Sequence, residues 1–358
     1  MQLPLDKPPA SLCLLRLSAI GDVTHVVPVL RTLQHHWPET RITWVIGRIE
    51  AQLVGDIPGV EFIVFDKSRG LAAYRELRRQ MRGRCFDVLL HMQVALRASV
   101  ASRLIPARLR LGFDRERARD WQWLFTNARI DPAPRQHVLD GFFGFVERLG
   151  LSQRQLRWDI PIPAEAQAFV TRHLPSAQPV LLINPCSSAR RNNWRNWSVE
   201  GYAQVADQAV AQYGVQVVLS GGPSQEERDY AQQICEAMQH PAVNLVGQTT
   251  LKALLALIER AQVMIAPDTG PMHMATTVGT PVIGLFATSN PLRTGPYLSQ
   301  ASVVNVYPQA LQQFEHLSVE QAPWGKRVRD PGALELIAVE AVLAKLAAIL
   351  TPACESPQ

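Results

Sequence analysis

The segment Val263–Asn290, VMIAPDTGPMHMATTVGTPVIGLFATSN, constrains the fold more than any other part of the chain. Its pattern predicts a buried strand over Val263–Ala266, a tight turn, a short helix over Met272–Val278 and a second buried strand over Pro281–Phe286. A strand, a loop and a helix in this order place the loop at the carboxyl end of a parallel strand. Open α/β sheets bind their ligands at that end.

The loop predicts an anion site next to a sugar site. Thr269 and Gly270 precede the helix, so their backbone N–H groups lie at the positive end of its dipole and suit a diphosphate. Asp268 would repel a phosphate but accept hydrogen bonds from sugar hydroxyls, and His273 falls in the first helical turn. We therefore expect a nucleotide sugar here. A structural role competes with this interpretation, because an Asp before a helix is most often an N-cap.

Length and composition describe an ordinary globular protein. The 358 residues suggest about two domains. The hydrophobic fraction is 47% and the charged fraction 19%. No apolar run reaches roughly 18 residues, and the N-terminus lacks the features of a signal peptide, so we expect neither a membrane span nor export. The five cysteines form no Cys-x-x-Cys pair, which indicates reduced thiols in the cytoplasm and no zinc site.

Charge is distributed unevenly. Residues 1–170 contain 24 Lys and Arg against 17 Asp and Glu, whereas residues 171–358 contain 12 against 14. A basic N-terminal half predicts an acidic partner there, such as a phosphorylated lipid, an anionic sugar or a nucleic acid. Seven arginines lie between Arg97 and Arg119, followed by Trp121 and Trp123. Interleaved acids are consistent with a solvated, salt-bridged face, but we favour an acidic ligand or a membrane surface.

Strand and helix patterns alternate through both halves of the chain, which predicts an α/β fold with two doubly wound, Rossmann-like parallel sheets. We expect an N-terminal acceptor-binding domain over 1–160 and a C-terminal nucleotide-sugar domain over 161–330. A terminal helix over 331–358 could pack back on the N-terminal domain. The proline-punctuated segment Arg157–Ala164 is the predicted linker.

Asp22 lies at a second predicted strand-to-helix junction. Leu12–Leu17 reads as the first strand and Val23–His35 as a helix, in which Pro28 either introduces a kink or marks a late start. The turn between them contains a single glycine, so it lacks the Gly-x-Gly-x-x-Gly fingerprint of a dinucleotide site.

Three segments resemble a known family: LRLSAIGDVTHVVPVLRTL at Leu15–Leu33, NPCSSARRNNWRNWSVEGYAQVAD at Asn184–Asp207, and APDTGPMHMATTVGTPVIGLF at Ala266–Phe286. Together they are similar to the lipopolysaccharide heptosyltransferases of glycosyltransferase family 9. The resemblance implies two facing domains (the GT-B arrangement) and an inverting transfer of L-glycero-D-manno-heptose from ADP-heptose to the inner core of lipid A. It implies no metal and no other cofactor, and the sequence contains no Asp-x-Asp pair to hold a divalent cation.

The partners implied are the nucleotide-sugar donor and a lipid A–Kdo acceptor at the cytoplasmic face of the inner membrane. We expect a peripheral monomer that binds no nucleic acid. Two other functions stay open: transfer of a different sugar or to a different acceptor, and a non-catalytic module that holds anionic lipid or nucleic acid through its arginines.

The resemblance also assigns roles by position. Asp22 matches the proposed general base, which would take the proton of the acceptor hydroxyl. Donor contacts are implied for Ser187, Ser188, Arg195, Gly222, Glu226, Thr249, Asp268, Thr269, Gly270 and His273. Acceptor contacts are expected for Gly21, His25, Arg97 and Arg115.

One departure concerns the cation that stabilises the leaving diphosphate. The family usually has a lysine before the tryptophan of the second segment. Alignment on Trp197 places Arg195 at that position, whereas alignment on Trp194 would leave the position uncharged. We favour Arg195, because the helix after Trp197 then falls into step; an arginine keeps the charge but changes its geometry.

Overall fold

Two parallel sheets of six strands each organise the chain, which confirms the predicted doubly wound α/β class. The computed structural model describes residues 2–187 and 194–351. The chain divides into two units, Met1–Pro161 and Ile162–Gln358, so the division falls within the proline-punctuated linker segment.

The first unit contains a sheet with the strand order β3-β2-β1-β4-β5-β6. Its strands are β1 Ser11–Leu15, β2 Arg41–Gly47, β3 Val60–Phe65, β4 Phe86–His91, β5 Ala107–Gly112 and β6 Ala128–Arg129. Its helices are α1 Ile20–His36, α2 Arg48–Val54, α3 Leu71–Gln80, α4 Leu96–Ser102 and α5 Val138–Leu149, with short 3₁₀ helices at Lys67–Arg69 and Gln122–Leu124.

The second unit repeats the arrangement with the order β12-β11-β10-β7-β8-β9. Its strands are β7 Val180–Ile183, β8 Gln216–Leu219, β9 Ala242–Asn244, β10 Val263–Pro267, β11 Val282–Phe286 and β12 Val304–Asn305. Its helices are α6 Ala164–His173, α7 Val199–Tyr213, α8 Gln225–Ala237, α9 Leu251–Arg260, α10 Gly270–Val278, α11 Pro291–Thr294, α12 Tyr307–Ala310 and α13 Val339–Leu350. Short 3₁₀ helices span Gln300–Ser302 and Pro331–Leu336, and a π-helical turn spans Leu311–Glu315.

The central strands are buried along their whole length, as their continuous apolar sequences require. All five residues of β10 and β11 are buried, and so are four of the five in β1. Strands of a parallel sheet are covered by helices on both faces, so they do not alternate between apolar and polar residues. This burial fixes the strands, and the loops at their carboxyl ends carry the polar side chains described below.

Helix α1 begins at Ile20, three residues before the predicted start, so Asp22 lies inside its first turn. Pro28 sits within the helix and has no N–H to donate to the Thr24 carbonyl four residues earlier. The Trp158 indole Nε1 donates to that carbonyl instead, at 2.9 Å. Arg31 in turn donates to the Trp158 carbonyl at 3.0 Å. The proline is therefore accommodated by a long-range hydrogen bond.

The predicted terminal helix is divided in two. A 3₁₀ helix spans Pro331–Leu336, and α13 follows it after a break at which the Trp197 indole donates to the Ile337 carbonyl at 3.1 Å. Helix α13 packs against α7 and strands β10, β11 and β12 of its own unit. Within residues 2–187 and 194–351, no helix combines the length and apolar character needed to span a bilayer.

Trp158→Phe tests the accommodation of Pro28. The substitution keeps the buried ring but removes its N–H, which leaves the Thr24 carbonyl without a donor, so we expect the free energy of unfolding to fall by about 1–3 kcal/mol. Urea denaturation followed by far-ultraviolet circular dichroism measures it. The matched control is Trp123→Phe, an exposed tryptophan, which should change stability by less than about 0.5 kcal/mol. Equal effects of the two substitutions would contradict the assignment.

Candidate active site

Each sheet has a switch point where successive connections leave in opposite directions. In the first sheet this point lies between β1 and β4, and in the second between β7 and β10. The loops after these strands diverge, and the crevice between their carboxyl ends is the ligand site of open α/β sheets. The predicted residue Asp22 follows β1, and the predicted residues Asp268 and Thr269 follow β10.

Asp22 is held by two contacts at the first switch point. Its Oδ2 atom accepts a hydrogen bond from the Ala19 backbone N–H at 3.3 Å and forms an ion pair with the Arg16 guanidinium. About a third of the carboxylate side chain, 33%, is still exposed. Asp22 thus caps the Ala19 N–H from the third position of α1, and its carboxylate is oriented by its neighbours and open to a ligand.

Arg16 is fixed independently of Asp22. Its Nη1 atom donates to the Met92 carbonyl at 2.7 Å, and its guanidinium stacks 5.2 Å from the centroid of the Phe142 ring. The side chain is nearly buried, so the charge needs these partners. The Arg16 guanidinium is therefore held in place, and its ion pair positions the Asp22 carboxylate.

Gln93 joins the loop after β1 to the loop after β4. Its Oε1 atom accepts from the Leu17 N–H at 2.7 Å, and its Nε2 atom donates to the Ser18 hydroxyl at 3.1 Å. The amide of Gln93 therefore makes two hydrogen bonds across the switch point, and together they fix the loop that leads to Asp22.

A cavity of about 370 Å³ opens beside this loop in the first unit. Its charged and polar lining comes from the loops and helix starts that follow β1, β2, β3 and β4: Ser18, Arg48, Glu50, Asp66, Lys67, Ser68, Gln93 and Arg97. Glu50 is buried, and burial raises its pKa above the ordinary value. The Ser68 hydroxyl and backbone N–H lower the pKa of Asp66. Cations and carboxylates around one cavity suit a ligand with both an acidic group and hydroxyls.

The four predicted acceptor residues occupy different environments. Arg97 lines the cavity, and Arg115 is exposed on the loop after β5. Gly21 is buried next to Asp22. His25 is buried one turn further along α1, with its ring edge-on to the His137 ring at 5.3 Å. The cavity therefore includes one of the four directly.

Asp268 is positioned from both sides at the second switch point. Its Oδ2 atom accepts from the Ser289 hydroxyl at 2.8 Å. The Arg195 Nη1 atom donates to the Asp268 carbonyl oxygen at 2.6 Å and lies 3.6 Å from the carboxylate. The structure therefore brings the predicted leaving-group cation and the predicted sugar-binding carboxylate together.

Thr269 occupies the N-cap position of α10, which starts at Gly270, but its side chain makes no capping hydrogen bond. The Thr269 hydroxyl is buried, and within the described part of the chain it has no hydrogen-bond partner. His273 lies in the first turn of the same helix and is also buried. A buried hydroxyl beside helix-terminal N–H groups is a donor set for an anion.

Three further predicted donor residues, Ser187, Gly222 and Thr249, lie on loops at the same edge of the second sheet. Ser187 is buried and its N–H donates to the Asn196 side chain at 3.2 Å, while Thr249 is half-buried between β9 and α9. Ser188 lies outside the described residues. So do Asn192 and Asn193, which precede Trp194 in the alternative alignment. Glu226 is exposed on α8.

Two residues of this site were missed. Glu227, not Glu226, faces the loop after β8, and it accepts from the Gly222 N–H at 2.6 Å. Ser289 orients Asp268 from the loop after β11. The spacing of Ser224 and Glu227 is that of a capping box, which could have distinguished the two glutamates. Nothing in the local sequence around Ser289 indicates its partner. In residues 2–187 and 194–351, no three His, Cys, Asp or Glu side chains are grouped to hold a metal ion.

Comparison with known proteins identifies the class to which these two sites belong. The sequence profile of glycosyltransferase family 9 (heptosyltransferase) matches residues 74–322. The lipopolysaccharide core heptosyltransferase OpsX of Haemophilus influenzae is 38% identical over 338 residues, which are 94% of this chain and 96% of that protein. The chain therefore belongs to glycosyltransferase family 9, the heptosyltransferases. The predicted family and enzyme class are confirmed.

Solved structures show the same fold. A family 9 glycosyltransferase from Veillonella parvula has a TM-score of 0.79 with 23% identity, covering 96% of this chain and 98% of that one. The heptosyltransferase WaaC of E. coli with ADP has a TM-score of 0.67 with 21% identity, covering 87% and 100%. A second WaaC structure contains ADP-2-deoxy-2-fluoro heptose.

A buried histidine at the end of β4 makes the stability of the fold depend on pH. His91 is fully buried at the end of β4, and burial lowers its pKa from 6.5 to about 3. Between these values the unfolded chain binds a proton that the folded chain excludes, so stability falls as the pH drops below 6.5. From pH 7 to pH 5 we expect His91 to account for a loss of about 2 kcal/mol.

The comparison with His91→Gln isolates this contribution. Glutamine cannot titrate and can still accept a hydrogen bond from the neighbouring Gln122 amide, which lies 3.3 Å from the His91 Nδ1 atom. Chemical denaturation at pH 7 and pH 5 measures both proteins. If wild type and variant lost the same stability on acidification, the burial of a neutral His91 would be wrong.

Proposed function

We propose that this chain is an inverting, metal-independent glycosyltransferase that moves L-glycero-D-manno-heptose from ADP-heptose to the inner core of lipopolysaccharide. Family membership supports heptosyl transfer, the 38% identity to OpsX supports the lipopolysaccharide core as acceptor, and the ADP seen in WaaC supports the nucleotide. The observation that carries the proposal is the oriented, partly exposed carboxylate of Asp22 at the first switch point.

In the proposed reaction Asp22 is the general base. As the acceptor hydroxyl approaches the anomeric carbon, its proton passes to the Asp22 carboxylate and its oxygen forms the new bond to that carbon. The bond between the anomeric carbon and the phosphate oxygen breaks on the opposite face, and its electron pair leaves with ADP. One base and one displacement invert the configuration. Arg16 holds the carboxylate by its ion pair without occupying its exposed part.

The charge that develops on ADP is met in the second unit. Arg195 supplies a guanidinium, and the start of α10 supplies N–H groups and the Thr269 hydroxyl. Fixed donors of this kind stabilise a leaving group without reorganising during the reaction. Asp268, held by Ser289, is placed to accept hydrogen bonds from the sugar. This donor set, with no Asp-x-Asp pair in the sequence, supports leaving-group stabilisation without a divalent cation.

The acceptor site assigned by the proposal is the 370 Å³ cavity beside the loop that leads to Asp22. Its cations, Arg48, Lys67 and Arg97, suit the acidic groups of a lipid A–Kdo acceptor, and Glu50 suits hydroxyls. We place the enzyme at the cytoplasmic face of the inner membrane, as a peripheral monomer, because its acceptor is anchored there.

Incubation with ADP-heptose and heptose-free core lipid tests the proposal. We expect ADP release, and proton NMR of the product should show an inverted anomeric centre. Chelation with EDTA should leave the rate unchanged. Calorimetric titration with ADP, UDP and GDP tests the alternative of another nucleotide sugar: tighter binding of UDP would replace ADP in the proposal.

Asp22→Asn tests the general base. The amide keeps the size of the side chain but cannot take the proton, so we expect kcat to fall about 10²–10⁴-fold while the Kd for ADP stays within about twofold. Circular dichroism checks that the variant is folded. The matched control is Asp140→Asn, which alters another partly exposed carboxylate paired with an arginine in the same unit and should retain activity. Turnover of Asp22→Asn at the wild-type rate would remove this residue from the mechanism.

Arg195→Gln tests the leaving-group cation. Without the charge we expect kcat to fall about 10²–10³-fold, and Arg195→Lys should recover part of the loss, because lysine restores the charge but not the planar geometry. The control is Arg260→Gln, since Arg260 also donates to backbone carbonyls of the second unit but lies outside the site. An Arg195→Gln enzyme as active as the Arg260→Gln enzyme would assign the leaving-group charge to other groups.

A further inference from the structure

Large apolar side chains are exposed at one edge of the first unit. The largest exposures are those of Leu71 at 73% and Trp121 at 63%. The residues that we call the apolar rim are Ile49, Leu71, Leu96, Trp121, Trp123 and Leu124. Isolated exposed apolar residues are ordinary, but six in one region of a chain mark a contact surface.

Sheet topology places the apolar rim on one side of the unit. Ile49 follows β2, Leu71 follows β3, Leu96 follows β4, and the two tryptophans with Leu124 follow β5. These four strands are parallel and adjacent to one another or to β1, so their carboxyl ends share one edge of the sheet. The rim therefore collects around the edge at which Asp22 also lies.

A shared cavity and a hydrogen bond join members of the rim. Ile49 and Leu96 line the same 370 Å³ cavity. The Leu96 N–H donates to the Asp120 carboxylate at 3.3 Å, which ties the start of α4 to the residue before Trp121. The apolar rim thus runs from the mouth of the cavity to the tryptophan-bearing loop.

The tryptophans project from a firmly anchored turn. Gln122, between them, is fully buried: its amide donates to the His91 and Gln93 carbonyls at 2.8 and 3.2 Å and accepts from the Phe113 N–H at 3.1 Å. The chain thus buries the polar residue and exposes the two aromatic ones. Glutamine is usually exposed and tryptophan usually buried, so the arrangement here is the reverse. A partner that covers the aromatic rings explains it.

The charges near the rim favour a negatively charged partner. Exposed cations accompany the rim on the same loops: Arg48, Lys67, Arg69, Arg97, Arg115 and Arg119. Against these six cations the same loops carry three acids outside the core, Asp66, which pairs with Arg48 at 3.3 Å, Glu116 and Asp120, so a cationic excess remains. Exposed tryptophan among arginines is the composition of a surface that lies at the interface of an anionic bilayer.

We propose that the apolar rim and its cations dock this unit on the surface of an anionic lipid bilayer, with Trp121 and Trp123 in the interfacial layer and the mouth of the cavity at the headgroups. The proposal rests on the proposed function for its acceptor and specifies the surface by which the enzyme reaches it. A second copy of the chain is disfavoured as the partner, because a twofold contact would set the same cations against each other.

Vesicle cosedimentation of the full chain tests the docking directly. We expect binding to phosphatidylcholine vesicles that contain phosphatidylglycerol, weaker binding as salt is raised, and little binding to phosphatidylcholine alone. Trp121→Ser combined with Trp123→Ser should weaken binding at least tenfold. The matched control is Leu292→Ser combined with Leu298→Ser, which removes exposed apolar residues from the second unit and should leave binding unchanged.

Activity assays separate this proposal from the proposed function. The double tryptophan variant should lose about tenfold in kcat/KM on acceptor embedded in vesicles but keep the wild-type rate on a deacylated, water-soluble core acceptor. Vesicle binding by an enzyme that releases no ADP with any acceptor would support the surface and overturn the function.

Three results would overturn the docking surface. They are failure of the wild-type chain to bind anionic vesicles, unchanged binding by the double tryptophan variant, and conversion of a wild-type dimer to a monomer by that variant in sedimentation velocity without lipid. The last would assign the apolar rim to self-association.

Discussion

The nearly buried guanidinium of Arg16 determines how the loop after β1 and the start of α1 are arranged around it. A buried charge is costly unless it is partnered. Here the Met92 carbonyl, the Phe142 ring and the Asp22 carboxylate partner the guanidinium, while its Nε atom has no hydrogen-bond partner among the described residues. The first two are fixed by the fold, whereas Asp22 is the one partner open to solvent. The same contact therefore stabilises the start of α1 and aims a carboxylate outward.

The second unit uses a different arrangement for its own carboxylate. Arg195 donates to the backbone carbonyl of Asp268 at 2.6 Å and stays 3.6 Å from the carboxylate, whose Oδ2 atom accepts from Ser289. At 3.6 Å the carboxylate offsets the charge of the guanidinium less than one in direct contact would. The difference fits the two proposed tasks: a base oriented by a cation in one unit, and a cation directed at phosphate in the other.

The sequence was sufficient for the features that depend on local pattern. Apolar runs and breaker-rich turns located both strand-to-helix loops, and hence Asp22, Asp268 and Thr269. The features it could not supply depend on contacts between distant residues. Ser289 reaches Asp268 across 21 positions, and Trp158 reaches Thr24 across 134. The start of α1 was placed three residues late because the turn after β1 was taken to extend to Asp22. The indole that accommodates Pro28 is likewise invisible in the local sequence.

The arginine-rich stretch shows how the structure separates residues that look alike in sequence. Arg110 donates to the carbonyls of Ser102, Ile105 and Phe125, and Arg117 pairs with Asp114. These guanidiniums hold the loop after β5 in place. Other arginines of the stretch, such as Arg97, Arg115 and Arg119, are exposed beside the apolar rim. The stretch thus divides into arginines that make structural contacts and exposed ones, for which an acidic ligand or a membrane surface stays a prediction. The inner arginines build the turn that keeps the outer ones, and the two tryptophans, at the surface.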